Sequence, residues 1–240
     1  MYEVAKMTWL EFDALRKQTD LAILPSGAVE VYGRHLPLGS DGIAAQALAL
    51  ALAERVPAAV APLVPVGESR VLNSFPGTLW VSAEAFRAYI GDIAKSLVHW
   101  GFKRLLFINS HAGNVPAINA LARDLQDQHG VICAQVDTWR FIQPFTNDLW
   151  DTDRPHGHAS DAGTSMLLRV APDTVKMDRR PHCAADERVP RVHRLQVLFS
   201  FTDTGTLGDG TARSLEKGEV LFDRAVERMV TFVNSEAFRV

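Results

Sequence analysis

Residues 30–42, EVYGRHLPLGSDG, place two carboxylates, a tyrosine and a histidine directly after an apolar segment. Histidines and acids also occur in SHAGN at 110–114 and RPHGHASD at 154–161. These donors are oxygen and nitrogen without sulfur, which suits Zn, Mn or Mg at a catalytic centre better than a structural zinc. A bound metal activates water and polarises a carbonyl group, as amide hydrolysis requires. The candidate ligands are Glu30, His35, Asp41, His111, His156, His158 and Asp161.

Strands and helices that alternate along the chain must position these residues. Because acids and histidines are common at loop ends of any α/β protein, spacing alone leaves ordinary loop contacts as the alternative to a metal site. Apolar runs predict strands at 21–27, 58–67, within 103–114 and at 131–139, and helical periodicity predicts helices at 42–55, 82–101 and 115–130. Continuous apolar strands favour a mainly parallel sheet covered on both faces, with the ligand site beyond the carboxyl ends of its strands.

The C-terminal third is less regular in pattern. Residues 180–192 are polar and contain proline, which predicts an exposed loop, and residues 194–205 predict a late strand. A final helix is expected from about Ala212 to about Asn234. We find no repeat or linker, so the chain is expected to form a single domain over residues 1–240.

Composition excludes several classes of protein. The 240 residues carry a formal net charge of −3 with both signs mixed, unlike the basic surface of a nucleic-acid-binding protein. No apolar run approaches the roughly 20 residues of a membrane span, and the first residues lack a signal-peptide core. Cys133 and Cys183 are far apart, as is typical of reduced thiols, so a cytoplasmic location is expected.

Five motifs together resemble the creatininase (creatinine amidohydrolase) family. LPSGAVEVYGRHLPLGSD resembles the family pattern P-x-G-x-x-E-Q-H-G-x-H-L-P-L-x-T-D, and INSHAGN is similar to its N-G-H-G-G-N loop. NSFPGTLWVS, HASDAGTSMLL and GTLGDGTARSLEKG match further family segments, in the family order and over nearly the whole chain.

The resemblance implies a three-layer α/β/α sandwich and a two-metal hydrolase of small cyclic or N-formyl amides. It also implies a homo-oligomer, often a hexamer. Carried over by position, Glu30, Asp41 and His111 match metal ligands, with Asp41 at the position of the bridging carboxylate. His158 matches a histidine placed near the substrate as a candidate acid or base.

The chain departs from the family pattern at two ligand positions. Tyr32 replaces a histidine and Gly163 replaces the glutamate of the E-T-S segment. A phenol binds a metal poorly unless its pKa, ordinarily near 10, is overcome, and glycine offers no ligand. One metal, Zn or Mn, is therefore expected per chain, with two as the alternative. Asp161 is a candidate replacement, although on a helix it does not share a face with residue 163.

Other residues receive roles by their chemistry. Tyr32 is a filler, a donor to a substrate oxygen or a weak ligand. Arg34 is expected to bind a carboxylate or phosphate of the substrate through its guanidinium group. Trp80 and Trp139 either pack in the core or wall the substrate pocket.

Three functions are consistent with these residues and with the resemblance. The first is a metal-dependent amidohydrolase with a small-molecule substrate. The second is a metal-dependent isomerase or ring-opening enzyme acting on a cyclitol- or sugar-like carbonyl compound. The third is a binding or structural homologue that has lost the chemistry.

Overall fold

A parallel sheet lies at the centre of the computed structural model, which describes residues 2–179, 202–208 and 210–239. Its strands are β1 (Leu21–Ser26), β2 (Ala59–Val60), β3 (Arg104–Asn109) and β4 (Ile132–Asp137). They lie in the order β2-β1-β3-β4, and each neighbouring pair is parallel. The predicted parallel sheet is therefore confirmed, and the polar segments at 30–41 and 110–114 follow the carboxyl ends of β1 and β3.

Helices connect and cover these strands. The α-helices are α1 (Trp9–Leu15), α2 (Ser40–Arg55), α3 (Ala83–His99), α4 (Val115–His129), α5 (Thr138–Ile142), α6 (Asp161–Val170) and α7 (Leu215–Asn234). Short 3₁₀ helices include Arg70–Leu72 and Ala112–Asn114 beside the polar loops. Of the residues described, none belongs to a helix that is both long enough and apolar enough to cross a lipid bilayer.

Two apolar clusters cover opposite faces of the sheet. Because side chains alternate along a strand, Ile23 and Leu106 point to one face while Leu24 and Leu105 point to the other. The first face packs against α2, with α6 and α7 in the same cluster, and the second packs against α3 and α4. The expected three-layer α/β/α sandwich is confirmed.

Several predicted boundaries were wrong. The strand expected at 58–67 is reduced to Ala59–Val60, because Pro62 and Pro65 carry no N–H for the sheet. Helix α2 begins at Ser40, two residues before the predicted start, so Asp41 lies inside its first turn. Helix α7 begins later than expected, where Ser214 Oγ accepts a hydrogen bond from the Lys217 amide.

Part of the C-terminal third lies outside the described residues. This applies to the predicted loop at 180–192, to most of the predicted strand at 194–205, and to Cys183. Cys133 is a free thiol, and burial raises its pKa to about 11.

Candidate metal centre

Three acceptor side chains meet at the carboxyl edge of the sheet. Glu30 follows β1, Asp41 lies in the first turn of α2, and His111 follows β3. One ligand atom from each lies within 4.8 Å of the other two, and all three residues are buried. The parallel topology thus joins residues that are distant in sequence, as expected for a site at the carboxyl ends of strands.

The imidazole of His111 faces both carboxylates. His111 Nδ1 lies 3.2 Å from Glu30 Oε2 and 3.3 Å from Asp41 Oδ2. Burial opposes protonation of His111, but the negative charge of Glu30 and the contact with Asp41 outweigh it and hold the pKa of the imidazole well above its usual value. Burial raises the pKa of Asp41, whereas His111 and His158 overcome burial at Glu30 and lower the pKa of that carboxyl. The pocket therefore favours a positive charge between the three side chains.

The opposite ring nitrogen fixes the orientation of His111. Nε2 lies 2.8 Å from the Glu68 carbonyl oxygen, to which it donates, and 3.3 Å from Ser69 Oγ. The asparagines of the same loop bond to the backbone: Asn109 Nδ2 donates to the His111 carbonyl and Asn114 Nδ2 to that of Gly27. A neutral imidazole held in this way has its lone pair on Nδ1, directed at the two acids.

Asp41 uses its second oxygen for a different contact. Trp139 Nε1 donates to Asp41 Oδ1 at 3.0 Å. The Tyr32 ring lies beside both, with its centroid 6.1 Å from that of Trp139. Burial first, and then the charges of Asp41 and Glu30, raise the pKa of Tyr32 well above its usual value, so the phenol stays neutral.

His158 lies against the tyrosine and next to Glu30. Its ring centroid is 4.4 Å from that of Tyr32, and its Nε2 donates to the Val31 carbonyl oxygen at 2.6 Å. Nδ1 lies 3.9 Å from Glu30 Oε1. With Nε2 engaged by the backbone, Nδ1 is the nitrogen available to accept or donate a proton near the three acceptors.

An open cavity of about 520 Å³ leads to these groups. Two other cavities of about 620 Å³ lie away from the three acceptors, so chemistry and not size identifies the site. The walls of the smaller cavity consist of Glu30, Tyr32, Asp41, Val71, Leu72, Ser110, His111, Ala112, Gly113, Asp137, Trp139, Arg140, His156, Gly157, His158 and Leu207.

Two predicted substrate contacts lie elsewhere. Arg34 is exposed and Trp80 is 46% exposed, and neither contributes to the cavity wall. Trp139, the other tryptophan considered, does line the cavity. His35 makes a buried structural contact, with Nε2 2.9 Å from Thr164 Oγ1.

Asp161 has other partners. It begins α6 with its carboxylate fully buried, and it accepts hydrogen bonds from Thr152 Oγ1 at 3.1 Å and the Ala212 amide at 2.9 Å. Arg213 Nη1 lies 3.8 Å away. Asp161 lies outside the group of three acceptors because its side chain instead joins α6 to the segment before α7.

Two polar wall residues, Asp137 and Arg140, were not among the candidates predicted from the sequence. Asp137 ends β4 and lines the cavity, and Arg140 Nε lies 3.5 Å from Asp137 Oδ2. Asp137 lies at the carboxyl end of β4, at the same edge of the sheet as the loops after β1 and β3. Its place at the end of a predicted strand could therefore have identified it as a site residue. His156, considered only as a spare ligand, lines the cavity and lies 3.3 Å from Thr146 Oγ1 through its Nε2.

Comparison with known proteins finds relatives that are described as hydrolases. A family model described as "Creatininase: Creatinine amidohydrolase" matches residues 5–233. A mycofactocin precursor peptide peptidase of Mycobacterium ulcerans is 29% identical over 87% of this chain and 82% of its own length. The creatinine amidohydrolase of Pseudomonas putida is 27% identical over 97% of this chain and 96% of its own length.

One further relative and two solved structures are also similar to this chain. A 3-dehydro-scyllo-inosose hydrolase of Thermotoga maritima is 27% identical over 70% of this chain and 55% of its own length. The structure described as "Creatininase Mn" superposes with a TM-score of 0.84 at 26% identity, covering 100% of this chain and 99% of that chain. A creatininase variant described as "Zn-Zn type" gives 0.85 at 26% identity, with the same coverage.

Proposed function

This chain belongs to the creatininase family, and from that membership we propose a metal-dependent hydrolase of a C–N bond in a small cyclic or N-formyl amide. The observation that carries the proposal is the convergence of Glu30, Asp41 and His111 at the base of an open cavity. The relatives named above are themselves described as a peptidase and an amidohydrolase.

The three acceptors fit a divalent cation. Glu30 Oε2 and Asp41 Oδ2 both face His111 Nδ1, and the Nε2–H of that ring is directed at the Glu68 carbonyl. With the imidazole neutral, three lone pairs would face one another in a buried place, which is costly; a proton on His111 or a bound cation supplies the positive charge that this arrangement needs. Oxygen and nitrogen donors suit Zn or Mn. Such an ion would act as a Lewis acid on the carbonyl oxygen and would make the attacking water more acidic.

His158 is the proposed proton carrier. The Val31 carbonyl holds its Nε2–H, so Nδ1 can accept the proton of the attacking water and deliver it to the leaving nitrogen. Tyr32 stays neutral beside it and fixes the ring by a tilted ring contact, with the planes 41° apart. The apolar wall residues Val71, Leu72 and Leu207 reduce the access of bulk water to the reacting groups.

The test measures metal content and hydrolysis together. We expect about one Zn or Mn per chain in the wild type after purification without chelators. His111→Ala should lose both the metal and the activity. His158→Gln should keep the metal and lose about 10²- to 10⁴-fold in kcat. The substrate panel contains cyclic amides, N-formyl amides and short peptides.

The control is His129→Ala, which removes an exposed histidine at the end of α4 and should change neither quantity. Full activity in a metal-free His111→Ala protein would exclude this mechanism. Loss of metal in His158→Gln would reassign His158 from proton carrier to ligand.

The Thermotoga maritima relative favours a second candidate. That protein is described as a hydrolase of 3-dehydro-scyllo-inosose, a cyclitol ketone. In this alternative the same centre polarises a ring ketone, and His158 or Tyr32 moves the proton during ring opening or isomerisation. Turnover of a cyclitol ketone, with no turnover of any amide in the panel, would select it.

Assembly and location remain predictions from the sequence. We propose a homo-oligomer, as large as a hexamer, in the cytoplasm. Light scattering coupled to size-exclusion chromatography measures the mass of the assembly directly, and cell fractionation locates the protein.

A further inference from the structure

Tyr32 lies in the wall of the cavity, and its ring is close to the backbone of Gly163. A Cβ atom built on Gly163 would lie 3.4 Å from Tyr32 Cε1 and 3.8 Å from the phenol oxygen. Gly163 is buried in the first turn of α6. An alanine would therefore fit in ordinary contact, whereas a longer side chain would run into the tyrosine ring.

The tyrosine also borders the second oxygen of Asp41. On one side, Asp41 Oδ2 faces His111 and Glu30, where the cation is proposed to bind. On the other side, Asp41 Oδ1 accepts from Trp139 Nε1, and the Tyr32 ring packs against Trp139. One oxygen of Asp41 thus accepts from a neutral indole N–H, while the other faces the imidazole of His111.

We propose that Tyr32 and Gly163 act as a pair that limits this centre to a single cation. The phenol ring fills the volume beside Asp41, and a glycine at position 163 leaves room for that ring. The inference deepens the proposed function, since it rests on Glu30, Asp41 and His111 holding the first cation. In the family pattern the two positions carry histidine and glutamate, side chains that can ligate a metal where tyrosine and glycine do not.

The effect on stability of changing one residue of the pair should depend on which residue occupies the other position. Gly163→Glu alone places a carboxylate against the buried ring and should lower the melting temperature through overpacking and burial of an unpaired charge. Replacing Tyr32 by the smaller, metal-binding histidine at the same time removes the clash and supplies a second ligand. The double variant should therefore be more stable in the presence of metal than the effects of the two single changes predict.

The experiment counts ions. Metal-free protein is titrated with MnCl₂ by calorimetry, and the bound Mn²⁺ is examined by electron paramagnetic resonance. Wild type and Tyr32→Phe, which keeps the ring, should each take up about one ion and give the signal of an isolated ion. Tyr32→His/Gly163→Glu should take up about two ions and give the signal of a coupled pair.

Each outcome has a distinct meaning. A second ion in the wild type, or a single ion in the folded double variant, would overturn the pairing proposal and leave the proposed hydrolase intact. Should the double variant not fold, Tyr32→Phe and the wild type still decide, because two ions in either one contradict the proposal. No ion in the wild type would overturn the proposed metal centre itself.

Discussion

Histidines of this chain show how environment decides the role of a side chain. His111 lies between two buried carboxylates, which raise its pKa, whereas His156 lies beside Thr146 and Trp150 with no carboxylate among these contacts. Burial alone lowers the pKa of His156 to about 4. One imidazole therefore attracts positive charge and the other resists it, although both line the same cavity.

The pKa of His156 predicts a pH-dependent loss of stability. Its usual pKa is 6.5 and its folded value is about 4, so the unfolded chain binds this proton more readily between those values. The free energy of unfolding should fall as the pH drops from about 7 to about 4, by about 1–2 kcal/mol after allowance for the partial exposure of the ring. Urea unfolding at several pH values measures this contribution.

His156→Asn isolates the effect, because it removes the titrating group and keeps a polar side chain near Thr146. Its stability should depend less on pH than that of the wild type. His129→Asn, at an exposed position, serves as the matched control and should leave the dependence unchanged. Equal pH slopes in the wild type and His156→Asn would contradict the prediction.

Among the elements, the contact between β1 and α2 is what positions Asp41. The chain leaves β1 at Gly27, where a Cβ atom would lie only 2.6 Å from the Cα atom of Gly42 in the first turn of α2. Glycine at position 27 allows the start of the helix to approach the end of the strand. Asp41, next to Gly42, thereby reaches Glu30 and His111.

Gly27→Ala should displace the start of α2. We expect a loss of about 1–3 kcal/mol in unfolding free energy from overpacking. Affinity for Mn²⁺ should also fall by roughly tenfold or more, because Asp41 moves with the helix. Gly39→Ala is the matched control, since nothing lies within 4 Å of a Cβ atom there. Calorimetric titration measures the affinity, and equal affinities in the two variants would refute this role for Gly27.

The same elements show what the sequence could predict and what it could not. Strands β1 and β3 were found because each is largely an apolar run, and β4 because apolar residues dominate it despite Gln135 and Asp137. Helix α3 was found because it has helical periodicity after Ser82. The position of Asp161 was not foreseen. Its carboxylate is engaged by Thr152 and Ala212 in tertiary contacts that leave no local pattern.

Contacts between site residues that are far apart in the chain were equally difficult to predict from the sequence. The family motifs predicted Glu30, Asp41 and His111 as metal ligands, because each residue lies at a ligand position of a matching segment. The contact of Tyr32 with Gly163 and the hydrogen bond from Trp139 to Asp41 join residues on different elements. Such contacts depend on how α5 and α6 pack against the loop after β1, and periodicity within a segment carries no information on that packing.

At the scale of the whole molecule, the centre ties separate layers together. Glu30 and His111 extend from the sheet, and Asp41 belongs to a helix of the layer that covers one face. Without a cation, the two buried carboxylates repel each other, and a proton on His111 offsets that repulsion. A bound cation should therefore stabilise the contact between the layers as well as the site.

Removing the metal should lower the melting temperature of the entire fold. A ligand that binds only the folded state at about 100 times its Kd adds about 2.7 kcal/mol, which for a chain of this size is roughly 5–10 °C in Tm. Calorimetric melting after chelation, and again after MnCl₂ is restored, measures the change and its reversal. His111→Ala should melt at the same temperature with and without Mn²⁺. A wild-type Tm that is unaffected by chelation would mean that the three acceptors are balanced by a proton alone, and that the folded protein does not depend on a metal.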